Sequence, residues 1–320
     1  MRKWMMAGVL VAMLAIGTLW LGGREEPVSA APLRGREEPV SAAPLRVLLI
    51  PADGGTESGT LADYQPIFDA VARDTGVRFD LKVAQSYGGV VEAMCNNAAD
   101  IAFVGPVTYL QASARGCAEL LAVAMKSGRS VYYAGLFVRP DSAIHTIAEL
   151  RGKRIAFGDI NSTSAFVFPV TMLMEAGIDP THDLAAIRMT GTHASSLSAL
   201  VAGEVDAAAL SFDSYDKAVR ADMAGVRDLR VIARSDAIPY PPLIANTRLA
   251  PEQRERLRTA FQAVRHSPGI SAEMIRGYGG AQVDGYVGSV PTGHFAPAAH
   301  KMAMISTALK SEMLRMAARR

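Results

Sequence analysis

From Arg46 onward, short apolar runs alternate with stretches whose apolar positions recur every three or four residues. "RVLLIP" at 46–51 predicts a buried strand, and "LADYQPIFDAVARDTG" at 61–76 an amphipathic helix that Gly76 stops. "VRFDLKVA" predicts a second strand, "YGGVVEAMCNNA" a second helix and "ADIAFVG" a third strand. Pro106 then stands in a first-turn position before the helix "VTYLQASARG". The extended segment "SVYYAGLFVRPDS" at 130–142 interrupts this rhythm, and Pro140 ends it.

A second round follows. Helix "TIAELRG" and strand "KRIAFGD" lead to the hydroxyl cluster "NSTS" and the helix "PVTMLMEAG". Strand "LAAIRM", helix "ASSLSALVAG" and strands "EVDAAAL" and "LRVIARS" come next. The proline-rich "AIPYPPLIAN" at 237–246 is a second extended crossing, and the tail predicts surface helices over 251–266 and 299–320. The β-α-β-α order predicts an α/β fold, with mostly parallel sheets flanked by helices. Two rounds joined by two hinge crossings predict two lobes with a cleft between them. Lobe 1 is expected at 46–137 plus 244–320, and lobe 2 at 138–243.

The N-terminus has a different character. Arg2 and Lys3 precede a long apolar run and then "PVSAA", the layout of a cleavable secretory signal over 1–30 with cleavage before Ala31. An uncleaved membrane anchor is the alternative, although the run is short for a span. Residues 31–45 read as a flexible leader, in which "GREEPVSAAPLR" at 23–34 recurs letter for letter at 35–46. One repeat is too few for a solenoid. Export would place the mature protein in the periplasm.

The 320 residues carry a net charge of +2 with no long basic block in the body, which excludes a nucleic-acid footprint. Cys95 and Cys117 are the only cysteines, and in an oxidising compartment they form a candidate disulfide, two buried free thiols being the alternative.

In α/β sheets, ligands bind beyond the carboxyl ends of the strands. The loops there share one feature. "NSTSAF", "GTHASS", "VGPVTY" and "QSYGGV" each place small or hydroxyl residues at a helix N-terminus, where unpaired amides and the helix dipole favour an anion. None carries Lys or Arg within the motif, so an anion would be held by neutral donors: Ser162, Thr163, Ser164, tyrosine hydroxyls and His193. Any one of these hydroxyls read singly is a helix cap. Neither Walker A nor GxGxxG is present, so no nucleotide cofactor is expected. HxxxH, HExxH and GxSxG are also missing, so no metal and no catalytic residues are expected.

"YGGVVEAMCNNAADIAFVGPVTYLQA", "YYAGLFVRPDSAIHTIAELRGKRIAFGDINSTSAFVFP" and "GTHASSLSALVAGEVDAAAL" resemble the phosphate/phosphite/phosphonate-binding periplasmic proteins of ABC transporters. "YGGAQVDGYV" looks like their closing segment, and the likeness runs from about Val47 to Leu314. The resemblance implies a type II periplasmic binding protein, a monomer without a cofactor, that delivers a small oxyanion to a membrane permease. It places the family's oxyanion cradle on Ser162, Thr163 and Ser164. It places the ligand tyrosines on Tyr87 and Tyr132, the histidine on His193 and the acidic acceptor on Asp213. Aminoalkylphosphonate binders carry a second carboxylate near the return crossing, where this chain has "AIPYPPLIA" and no acid. That favours phosphite, methylphosphonate or phosphate. A sensor that presents a phosphate-like or arsenic oxyanion to a histidine kinase is the alternative output, and an arsenite sensor would need a reduced thiol.

Overall fold

The computed structural model describes residues 43–51 and 57–319. The expected signal at 1–30 and all but the last residues of the leader lie outside them. The chain builds β1 (Leu45–Leu49), α1 (Glu57–Thr75), β2 (Phe79–Val83), α2 (Tyr87–Cys95), β3 (Ile101–Phe103), α3 (Pro106–Ala114) and β4 (Ala118–Met125). It crosses through β5 (Val131–Tyr132) to β6 (Ala134–Val138) and β7 (Arg154–Phe157), then makes a π-helical turn (Thr163–Val167) that runs into α4 (Phe168–Glu175). β8 (Ala186–Met189), α5 (His193–Val201), β9 (Ala207–Ser211), α6 (Phe212–Arg220) and β10 (Arg230–Arg234) complete this half. The chain returns through β11 (Ile238–Pro239) to β12 (Pro242–Asn246), α7 (Pro251–Ala263), β13 (Gly285–Val287), α8 (Ala296–Met304) and α9 (Thr307–Ala318).

Two sheets result, ordered β13-β4-β12-β3-β1-β2 and β10-β6-β9-β7-β8. They are mixed rather than mostly parallel. The βαβ units β1-β2, β1-β3, β7-β8 and β7-β9 are parallel. The strands that enter or leave a crossing, β4, β6, β10 and β12, pair antiparallel because the chain re-enters each sheet from the opposite end, and β13 adds antiparallel to β4. β4 lies between β12 and β13, yet the hydropathy pattern assigned "AELLAVAM" to no element. A continuous apolar run has no period of its own, and only its neighbours make it a strand.

Side-chain alternation explains why the second sheet reads as unbroken apolar runs. Ile155 and Phe157 of β7 and Ala207 and Ala209 of β9 join the main core, which continues into the first sheet. Ala156, Ala208 and Leu210 join a second core beneath α5 and α6. Both faces are covered, so neither parity can be polar.

The two crossings pair with each other. β5 and β11 form a two-stranded antiparallel ladder with Tyr132 opposite Ile238 and Val131 opposite Pro239. β6 pairs with β9 and β10, so residues 134–137, expected in lobe 1, lie in the second sheet. The tail also divides: β12 and β13 return to the first sheet, α9 packs on β8, and α8 packs between α3 and α4. Lys301 of α8, almost fully buried, pairs with Glu175 at the end of α4. The apolar spacing of 251–266 and 299–320 predicts helices that the structure shows but contains nothing that says what they cover.

Cys95, at the end of α2, is bonded to Cys117, which leads into β4, with Cα atoms 4.9 Å apart. No free thiol remains in the chain, which removes the thiol coordination that an arsenite sensor would need. The bond closes a loop with a sequence separation of 22 residues. Replacing both cysteines by serine should lower unfolding stability by about 3 kcal/mol, read as a reduced denaturant midpoint with a steeper slope as the unfolded chain expands.

Candidate functional site

Helix N-termini from both lobes meet at the centre of the molecule, and those of α2, α5 and α6 carry their own side-chain cap. Ser86 caps α2 by accepting from the Gly89 amide at 3.1 Å, and Tyr87 follows as the first helical residue. Thr192 caps α5 by accepting from the Ser195 amide at 3.1 Å, and His193 follows. Ser211 caps α6 by accepting from the Ser214 amide at 3.1 Å, with Asp213 in the first turn. Tyr87, His193 and Asp213 are all buried, although first turns usually face water.

Ser162, Thr163 and Ser164 have three different partners. The Ser162 hydroxyl caps its own helix, accepting from the Ala165 amide at 3.1 Å. Thr163 caps a helix of the other lobe. α3 starts at Gly105 without a side-chain cap, and the Val107 amide donates instead to Thr163 Oγ1 at 3.0 Å. A Cβ on Gly105 would lie 3.2 Å from that oxygen, so a larger residue there would crowd the contact. Ser164 caps nothing, and its hydroxyl faces the Tyr132 phenol. The helix opens with a π turn, the Val167 amide donating to the Ser162 carbonyl and the Phe168 amide to that of Thr163. Such wide turns recur at functional sites. They leave first-turn amides, here those of Thr163 and Ser164, without an intrahelical partner.

More contacts join the lobes around this turn. The Tyr87 amide donates to Asp159 at 3.2 Å, and Gln111 of α3 donates to the Asn161 side chain at 3.0 Å. Asp159 is itself raised above the ordinary carboxylate range by burial, against the amides of Asn161 and Tyr87 that donate to it.

Tyr278, which no motif singled out, stands among the expected residues. Its hydroxyl lies 2.8 Å from His193 Nε2 and its ring centroid 5.2 Å from that of Tyr132. The Ser211 amide donates to His193 Nδ1 at 3.2 Å, so the neutral ring carries its proton on Nε2 and donates to Tyr278. Burial lowers the His193 pKa to about 3, which keeps the ring neutral. Burial also pushes the Tyr87 and Tyr132 phenols well above their ordinary value, with the Tyr278 phenol nearby adding to it. The phenols therefore remain donors at neutral pH. Only the position of Tyr278 inside "YGGAQVDGYV" hinted at a role, because His193 and Tyr132 lie 85 or more residues away in sequence.

Asp213 is a second carboxylate beside this cluster, after Asp159, and is 5 % exposed. Burial raises its pKa, and Lys126, whose Nζ is 3.0 Å from Oδ1, opposes that rise. The loop carrying Tyr278 closes on it. Gly279 has φ +68°, and a Cβ there would come within 2.7 Å of the Asp213 carbonyl oxygen. Among the described residues, no three His, Cys, Asp or Glu side chains group to hold a metal.

All seven residues expected from the sequence, Tyr87, Tyr132, Ser162, Thr163, Ser164, His193 and Asp213, are thus buried together between the lobes. Two sheets joined by a paired hinge, with a polar cluster between them, define a type II periplasmic binding protein. A family model described as the periplasmic substrate-binding protein of the phosphonate ABC transporter matches residues 55–287, and the chain belongs to that family.

The chain is similar to the phosphate-import protein PhnD of Mycolicibacterium smegmatis, 30% identical over 224 residues, which is 66% of this chain and 69% of that one. It is also similar to the phosphonates-binding periplasmic protein of Escherichia coli, 25% identical over 67% of this chain and 64% of that protein. The chain thus spans just under two thirds of the second relative. The solved binding component of an ABC phosphonate transporter from Pseudomonas aeruginosa shares the fold, with a TM-score of 0.72 at 21% identity over 85% of this chain and 96% of that one.

The depressed His193 pKa makes a signed prediction. Unfolded, the imidazole takes a proton near pH 6.5, whereas folded it resists down to about 3. Its stabilisation is complete above the unfolded value and is lost as pH falls through that window. Between pH 6.5 and 5 the loss should reach about 2 kcal/mol. Urea midpoints at the two pH values should show it in the native protein, and His193→Asn should flatten the slope.

Proposed function

We propose that the protein is a periplasmic receptor that closes on a small phosphorus oxyanion with an uncharged tail and delivers it to an ABC transporter permease. Phosphite, methylphosphonate and phosphate are the candidate ligands. The observation that carries this reading is the cluster of neutral donors buried between the lobes: the Ser164 hydroxyl, the phenols of Tyr87, Tyr132 and Tyr278, and first-turn amides at the positive ends of helices. Dipoles and neutral hydrogen bonds suit a compact anion that has to be released again. The relatives named above, one a phosphate-import protein and one a phosphonates-binding protein, support the same ligand class.

The return crossing supports an uncharged tail. It carries no carboxylate there; Tyr240 is fully buried and donates to the Tyr278 carbonyl at 3.3 Å. Asp213, in turn, accepts a hydrogen bond from a protonated P–OH, which disfavours sulfate, fully deprotonated at neutral pH. Closure is a hinge motion about β5 and β11, driven by ligand contacts to both lobes.

A thermal-shift screen over phosphate, phosphite, hypophosphite, methylphosphonate, arsenate, arsenite and sulfate tests the reading. Ligand at a hundredfold excess over its Kd should add about 2.7 kcal/mol of stability, and a flat response to every anion sinks the proposal. Ser164→Ala is the clean variant, because Ser162 and Thr163 also cap helices and their loss would destabilise the fold. It should weaken the preferred anion by about tenfold or more while leaving the melting temperature of the free protein nearly unchanged. Asp213→Asn should narrow the preference for phosphite or phosphate over sulfate in calorimetry. An unaltered preference removes Asp213 from the P–OH role.

A further inference from the structure

We propose that Lys126 sets the ligand class as the resident counter-ion of Asp213, so that the closed cleft admits an oxyanion with an uncharged tail and rejects one carrying an ammonium group. The inference rests on the oxyanion-receptor reading above and names a residue that no sequence motif marks.

The two partners come from opposite lobes. Asp213 lies in the first turn of α6, and its charge is felt at the Tyr132 phenol within the donor cluster. Lys126 follows directly on β4, and its Nζ reaches Asp213 Oδ1 at 3.0 Å. The carboxylate side chain is 7% exposed and the lysine side chain 41%, so the ammonium stands at the rim and the carboxylate inside. A carboxylate this deep needs either a proton or a cation, and the protein brings the cation itself when the lobes close.

The pair is one of three contacts on a single face of α6. Positions 213, 217 and 220 follow i, i+4, i+7 spacing, and each reaches the first lobe or its loops. Lys217 meets Asp63 of α1 at 2.7 Å, and Arg220 donates to the Gly279 carbonyl at 2.8 Å. Those two hold the lobes together, but only the Lys126 pair includes a group of the donor cluster. With Lys126 in place, Asp213 adds no net negative charge to oppose a bound anion. A ligand ammonium seeking Asp213 would have to displace Lys126 or stand beside a like charge, both unfavourable. Without the lysine, the carboxylate either repels the anion or must take up a proton before the anion binds, and it offers itself to a cationic tail.

Calorimetry on the full protein with methylphosphonate and 2-aminoethylphosphonate separates the possibilities. The native protein should bind methylphosphonate at least about tenfold more tightly than the amino compound. Lys126→Met should weaken methylphosphonate by about tenfold while 2-aminoethylphosphonate holds or gains, erasing or inverting the preference. Adding Asp213→Asn to Lys126→Met should return methylphosphonate to within about threefold of native affinity. Lys217→Met, which loosens closure without touching the cluster, should shift both ligands by one common factor. If Lys126→Met also shifts both ligands equally, or shifts neither, the counter-ion role is overturned and the receptor reading stands. If the native protein binds neither phosphonate nor phosphate nor phosphite, the receptor reading falls and takes this inference with it.

Discussion

The Val107 amide donates to the Thr163 hydroxyl across the cleft, and this contact shows the constraint under which the whole centre is built. Helix N-termini from two lobes are buried against each other, and every first-turn amide there needs an acceptor. Some acceptors are local, such as Ser86, Ser162, Thr192 and Ser211. Others come from the opposite lobe, as Thr163 does for α3 and Asp159 for the Tyr87 amide. The lobes therefore complete each other's hydrogen bonding. The closed arrangement is chemically satisfied around a ring of phenols and hydroxyls.

Electrostatics follow from the same burial. A charged imidazole or phenolate would be expensive in so dry a place, and both residue types stay neutral: His193 by a lowered pKa, Tyr87 and Tyr132 by raised ones. The tautomer of His193 is fixed by the Ser211 amide, so a single donor is aimed at Tyr278. The formal charges at the centre are carried by Asp159 and Asp213, and each is answered by amides or a lysine. Family membership makes the chain the substrate-binding component of a phosphonate ABC transporter, and the function proposed above has it grip an anion with dipoles.

Part of the candidate site was legible in local motifs. Ser162 to Ser164 and His193 begin helices after a strand and a small or hydroxyl residue, whereas Tyr87, Tyr132 and Asp213 were implied by the family resemblance. What stayed hidden depends on partners far along the chain. Tyr278 is defined by His193 and Tyr132, and Lys126 by Asp213, 87 positions away. The separate tasks of the three hydroxyls were hidden for the same reason. Ser162 is a local cap, whereas Thr163 has its acceptor role only because α3 of the other lobe arrives without a side-chain cap.

The amino-acid sequence alone determined the α/β rhythm, the two rounds, the extended crossings and the helix starts that carry the hydroxyls, since these rest on periodicity and capping within about a dozen residues. It also marked Cys95 and Cys117 as the candidate bond. Tertiary structure decided the rest: the antiparallel strands within each sheet, β4 as a strand, α9 on the second sheet, α8 between α3 and α4, and Lys126 as the partner of Asp213. Strand order, helix placement and ion pairing across a cleft are set by which buried surfaces and unpaired groups meet when the whole chain packs. A local pattern contains no record of that meeting.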